Sequence, residues 1–171
     1  MSKTSYVLEK TAAVVIVLNC IWILIGLIYT IYQYQQYYFQ YEEQNPDFIF
    51  LIESVGSYTL KVRSIIICQL LGIVGGILLV MNKKTGWVLC GSVAITQLFY
   101  TCFSLWSYWK GPGYQVLISA LFVVVFALVN FLLFSPSVIK KYEPGRRMWT
   151  WAFGLAVIFC VDYIFIFRTL A

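Results

Sequence analysis

The sequence predicts an all-α integral membrane protein with five transmembrane helices, and three observations carry that expectation. Of its 171 residues, 61% are hydrophobic and only 11% are charged, whereas soluble domains run at about 45–50% and about 25%. Apolar runs of membrane-spanning length, about 20 residues, recur along the chain. The basic residues collect in alternate short connections, as they do when charge sets membrane orientation. A water-soluble domain of this size leaves roughly 30% of its chain surface exposed. There is too little polar surface here to cover that, so a soluble globular enzyme is excluded. The same composition excludes a disordered or collagen-like chain.

The first apolar run covers about residues 11–32. It is longer than the roughly 7–15 residues of a signal-peptide core, and no small-residue cleavage site follows it. The next runs cover about residues 64–81, 87–108 and 114–134, and the last about 149–167. Only the last holds a formal charge, Asp162. An Asp near the centre of a span costs about 2.5–3.5 kcal/mol, which the surrounding Phe, Ile, Leu, Val and Trp residues outweigh. The whole chain, 1–171, reads as a single polytopic domain.

Short connections fix the neighbours. Residues 82–86 and 110–113 leave room only for antiparallel packing, so the second, third and fourth spans form a helical meander. Gly111-Pro112-Gly113 is a turn signal. The basic residues Lys3, Lys10, Lys83, Lys84, Lys140, Lys141, Arg146 and Arg147 all fall at one end of this meander. Lys61, Arg63, Lys110 and Arg168 fall at the other, with Glu42, Glu43, Asp47 and Glu53. The expected topology therefore has a cytoplasmic N-terminus and an external C-terminus. The connection 135–148, basic at both ends, also suits contact with anionic lipid. No contiguous basic domain exists for nucleic acid.

Residues 33–63 form the one sizeable outer segment. Tyr34, Tyr37, Tyr38 and Tyr41 alternate with glutamines, and their spacing puts them largely on one helical face. The first helix is expected to continue beyond the lipid as a polar-aromatic stalk. Asn45-Pro46-Asp47 should end it, and a short helix carrying Phe48, Phe50, Leu51 and Ile52 should then lie in the interface. An aromatic belt accounts for one or two tyrosines per helix. The remainder point to a surface for a partner, because tyrosine joins an apolar ring to a polar tip.

Polar groups inside the spans are Asn19, Gln69, Gln97, Asn130 and Asp162. The amides suit interhelical hydrogen bonds, typically about 0.6 kcal/mol each. Asp162 needs a proton or a cation, and Arg63 at the outer end of the second span is the expected ion-pair partner. Gly72 and Gly76 form a GxxxG pattern, and Ala152 and Ala156 form a small-residue stripe. Facing one another, these would pack the second span on the fifth and bring Arg63 toward Asp162.

The absence of histidine removes the Ser-His and Cys-His nucleophile pairs and the common zinc sites. Cys20, Cys68, Cys90, Cys102 and Cys160 all fall in predicted spans without a CxxC, and read as small apolar residues. No phosphate-binding, hydrolase or paired-carboxylate motif occurs, so no enzyme activity, cofactor or metal is expected. The Lys83-Lys84-Thr85-Gly86-Trp87 turn and the stretch Ser135–Tyr142 resemble those of small bacterial inner-membrane proteins. That resemblance points to a bacterial inner membrane, although an organellar membrane satisfies the same charge rule. The functional expectation is a non-catalytic accessory or structural subunit of a multi-protein membrane complex. It would contact other integral membrane subunits through Tyr34, Tyr37, Tyr38, Tyr41 and Asp162. The alternative is a small transporter or channel component using Asp162 with Gln69 and Gln97.

Overall fold

A computed structural model describes the backbone of residues 3–42, 48–109 and 111–170, and the side chains of 6–33, 36, 63–109 and 111–165. The described residues form helices only: α1 (Lys3–Glu42), α2 (Phe48–Val80), α3 (Lys84–Ser107), α4 (Gly113–Leu133), α5 (Pro136–Tyr142) and α6 (Arg146–Leu170). Five of these are long and apolar enough to cross a membrane, through Tyr6–Gln33, Arg63–Val80, Lys84–Ser107, Gly113–Leu133 and Arg146–Phe165. Each overlaps the run expected from the sequence.

The second helix departs from expectation. The segment carrying Phe48, Phe50, Leu51 and Ile52 is not a separate interfacial helix but the start of α2, which runs unbroken for 33 residues. Between residues 53 and 62 there is no proline and a single glycine. Nothing there stops a helix that gains one hydrogen bond per added residue. At 1.5 Å per residue, α2 is about 50 Å long and α1, at 40 residues, about 60 Å, both well beyond an apolar layer about 30 Å thick. The stalk expected from the tyrosine-rich stretch is thus helical in α1, and α2 extends beyond its span as well. Residues 43–47, where the chain was expected to divide, lie outside the described residues.

Helix α3 is the hub of the bundle. It packs against α1, α2, α4 and α6, and its span is both the most buried and the least apolar of the five. The two properties share a cause. A helix surrounded by protein needs small and hydrogen-bonding residues where its neighbours approach, and Gly86, Gly91, Ser92, Ala94, Thr96 and Gln97 are all buried there. The α4 span, with the highest hydropathy, is among the least buried, as suits a lipid-facing helix.

Small residues set the closest approaches, but not between the helices expected. A Cβ on Gly72 would strike the Cys20 sulfur, and one on Gly76 would strike the Val17 side chain. Both glycines therefore seat α2 on α1. Buried Ala152 and Ala156 instead lie on the α6 face that runs along α3. On that face Trp149 packs edge-on to Trp87 at 5.1 Å and Tyr163 stacks on Tyr100 at 4.0 Å. The tightest crossing is at Gly86, where an added Cβ would meet the backbone of Leu78 and Leu79.

Trp87, fully buried, anchors one end of the core. Its indole N–H donates to the Leu133 carbonyl at 3.0 Å, and its ring meets Phe134 edge-on at 5.6 Å. Exposed aromatics occur toward both ends of the bundle. Tyr29, Tyr32, Trp106, Tyr108, Trp109 and Tyr114 mark one end, and Tyr6 and Trp151 the other. This is where amphipathic rings sit on a membrane protein.

Candidate functional site

The strongest concentration of polar chemistry lies at the end of the bundle where α1 begins, and its centre is Glu9. The Glu9 side chain has no solvent exposure. A buried carboxylate is costly unless charge and hydrogen bonds compensate it. Here Lys141 Nζ donates to both carboxylate oxygens, at 2.9 and 2.7 Å. The Tyr142 hydroxyl donates to Oε1, and Lys10 Nζ stands 3.8 Å from the same oxygen.

The local folding of each element explains how these groups converge. Glu9 and Lys10 lie in the first turns of the apolar part of α1. The end of α2 closes in a Schellman motif, with Lys83 N–H donating to Leu78 O at 2.9 Å and Asn82 N–H to Leu79 O at 3.0 Å. Asn82 occupies the left-handed position of that motif with φ 59°, which Asn tolerates better than most residues. Lys10 Nζ then caps the helix, donating to Leu79 O at 2.7 Å and Val80 O at 2.6 Å. A cation there satisfies the last carbonyls and the negative end of the helix dipole. The Asn82 side-chain oxygen accepts from Lys10 at 2.9 Å and from Lys141 at 2.7 Å. Helix α5, started by Pro136 at its N-terminus, buries Val138 and Tyr142 and so turns Lys141 inward.

Tyr6 completes the arrangement. Its ring lies 5.1 Å from Lys10 Nζ and 5.4 Å from Lys141 Nζ, and Lys141 also sits 4.9 Å from the Tyr142 ring. Burial, then the hydrogen bond to Glu9 and its negative charge, hold the Tyr142 phenol above its ordinary pKa. Tyr142 therefore stays protonated and donating at neutral pH. Chemically, the cluster is a clamp. It ties α1, the α2–α3 turn and α5 together through one acid, two lysines, a phenol and an amide. The two lysines against one carboxylate leave a net positive charge.

A second polar group lies within the spans. Gln97 Nε2 donates to Gln69 Oε1 at 2.8 Å, joining α3 to α2 in a buried pair. Asn130 Nδ2 donates to Ala94 O at 2.9 Å and to Phe126 O at 2.8 Å, joining α4 to α3. Asn19 lines a groove of about 500 Å³ with Trp22, Phe122 and Phe126. Among the described residues the amide nitrogens of Asn19 and Gln69 have no hydrogen-bond partner.

Asp162 and Arg63 are not brought together. Both are exposed, and the ion pairs among the described residues are those of Glu9 with Lys10 and Lys141. Helices α2 and α6 do touch, but Gly72 and Gly76 face α1, and the contact does not bring Arg63 to Asp162. Asp162 also makes no hydrogen bond with Gln69 or Gln97, which bond to each other. The side chains of Tyr34, Tyr37, Tyr38 and Tyr41 lie outside the described residues. Just before them, Gln33 and Gln36 donate to the hydroxyls of Tyr29 and Tyr32, each at 2.7 Å, a ladder of i, i+4 contacts along α1. Of the cysteines, Cys20, Cys68 and Cys90 are buried, but Cys102 is exposed on α3. Among the described residues no group of three or more His, Cys, Asp or Glu side chains could hold a metal ion.

Sequence reasoning missed the clamp. Glu9 stands beside Lys10 just before an apolar run, and such an acid reads as surface charge. Its partners lie more than a hundred residues away along the chain, beyond the reach of any local pattern. One signal was present: Glu9 is the only acid ahead of the apolar run that begins at about residue 11, and it stands between Lys3 and Lys10.

No family model matches the chain, and no curated protein or solved structure matches it either. The functional reading rests on the residues and their geometry.

Proposed function

We propose that the chain is a non-catalytic accessory subunit of a larger membrane complex, anchored by its five helices. Partners would be other integral membrane subunits. They would be met by the tyrosine-rich extension of α1, with Tyr34, Tyr37, Tyr38 and Tyr41, and by Asp162 on α6. The observation that carries this reading is the disposition of the polar groups. The amides of Gln69, Gln97 and Asn130 are spent on joining helices, while Asp162 stands exposed and without an ion pair among the described residues. A carboxylate on the outer surface of a membrane helix gains most when a neighbouring chain supplies a cation or a donor. The extensions of α1 and α2 beyond their spans give the same end of the molecule a projecting helical surface.

The basic pairs at residues 83–84, 140–141 and 146–147 favour a cytoplasmic N-terminus and an external C-terminus. On that reading the extensions lie outside, in a bacterial inner membrane. The substitution Asp162→Asn tests the function. Co-purification of partner chains from the native membrane should fall, while the isolated chain keeps its helicity and thermal midpoint. Unchanged partners together with loss of solute flux in reconstituted vesicles would overturn the subunit reading in favour of transport.

A further inference from the structure

The clamp gathers basic residues that are far apart in sequence. The 2.7 Å bond from Lys141 to Asn82 joins α5 to the α2–α3 turn across 59 positions. Lys83 and Lys84 follow Asn82 directly, and Lys140 precedes Lys141. Arg146 and Arg147 open α6, a few residues beyond α5. Lys83, Lys84, Lys140, Arg146 and Arg147 are all exposed, and none has an ion pair among the described residues. Within the Lys140-Lys141 pair the roles divide: Lys141 turns inward to neutralise Glu9, and Lys140 faces out. Glu143, also exposed, is the one acid in the stretch from α5 to α6.

This surface is electrostatically uncompensated. Both α3 and α6 begin here, and neither carries an acid in its first turn. Lys83 caps α3 without a side-chain hydrogen bond. The positive ends of two helix dipoles are thus placed among five cations, the reverse of the arrangement that stabilises a helix start. An anion is what this end lacks. Exposed Trp151, in the second turn of α6, and exposed Tyr6, whose ring lies 5.4 Å from Lys141 Nζ, are residues of a membrane boundary, so phosphate groups of the bilayer are the anions within reach.

We propose that the α2–α3 turn, α5 and the start of α6 form one binding surface for anionic phospholipid headgroups, with Lys83, Lys84, Lys140, Arg146 and Arg147 as the phosphate contacts. The proposal is independent of the subunit reading. Each cation near an anionic surface contributes about 1 kcal/mol, which is about fivefold in affinity.

The test uses the full chain in mild detergent, with phosphatidylglycerol and phosphatidylcholine of matched acyl chains as probes. Native mass spectrometry counts the lipids retained. The wild type should retain phosphatidylglycerol preferentially. Lys83→Gln, Lys140→Gln and Arg147→Gln combined should weaken that retention on the order of a hundredfold, following about fivefold per charge. Arg63→Gln, at the opposite end, should leave it unchanged. Lys140→Gln alone, at an exposed site with no clamp contact, should give the fivefold loss even where the triple variant fails to fold. Equal retention of the two lipids by the wild type overturns the proposal, as does a preference that survives Lys140→Gln and the triple variant. Complete displacement of phosphatidylglycerol by millimolar inorganic phosphate overturns the lipid as source and assigns the surface to a free anion.

Discussion

Removing Lys141 should harm the fold more than removing the charge of Glu9, and the asymmetry follows from burial. Glu9 has no exposure, whereas the side chains of Lys10 and Lys141 are 15% and 19% exposed. In Lys141→Met the carboxylate loses both of its short charged hydrogen bonds. It is left with Tyr142 and with Lys10 Nζ at 3.8 Å. Stripping one partner from a buried ion pair costs about 3–5 kcal/mol. In Glu9→Gln the lysines lose their acid but can turn toward water, and Tyr142 can still donate to the amide oxygen, so the loss is about 1–2 kcal/mol. For a chain of this size, about 2–4 °C of midpoint per kcal/mol gives a fall of about 10 °C for Lys141→Met and about 3–4 °C for Glu9→Gln. The double variant should lie near Glu9→Gln, because no buried charge remains. That is a coupling of about 3–5 kcal/mol, the whole cost of Lys141→Met, well above the additivity error of distant sites. Thermal unfolding in one detergent, followed by tryptophan fluorescence for all four proteins, measures the cycle. Equal falls for the single variants, or a double variant with the sum of their effects, would refute a buried, Lys141-dependent carboxylate.

Other sites give further tests. Gly86→Ala should lower the thermal midpoint by the equivalent of about 1–3 kcal/mol. Its added Cβ meets backbone of α2, which cannot move aside as the end of a side chain can. Gln97→Leu should cost about 1–2 kcal/mol by stranding Gln69 in the core, and Gln69→Leu with Gln97→Leu should recover most of it; thermal midpoints of the three variants decide. Tyr142 should contribute nothing to phenol ionisation between about pH 9 and pH 11, the window around an ordinary tyrosine pKa of about 10. Its raised pKa means its contribution to stability is complete below the unfolded value and fades only as pH climbs through the folded one. The ultraviolet difference titration of wild type against Tyr142→Phe checks this, and a Tyr142 transition inside that window would contradict it.

Hydropathy made the five spans legible, because lipid imposes length and apolarity on each crossing helix separately. The short connections made the meander of α2, α3 and α4 legible for the same local reason. Contacts between distant segments were not legible. Gly72 and Gly76 were correctly read as a packing surface, yet the partner is α1 and not α6, since a small-residue face suits any helix that can approach. Of the four amides expected to join helices, Gln69, Gln97 and Asn130 do so, while the Asn19 amide nitrogen has no partner among the described residues. The sequence pairs Asp162 with Arg63, but both are exposed and the structure does not bring them together. Glu9 escaped notice because its meaning comes from Lys141 and Tyr142, which reach it only once α5 has packed beneath α1.

The subunit reading is tested most directly by the mass of the assembly taken intact from its own membrane. Native mass spectrometry after extraction in mild detergent should show a reproducible complex containing other membrane chains, with Asp162 and the α1 extension crosslinking to them. A species at the chain mass of 19.7 kDa, or at a small multiple of it, would contradict the reading.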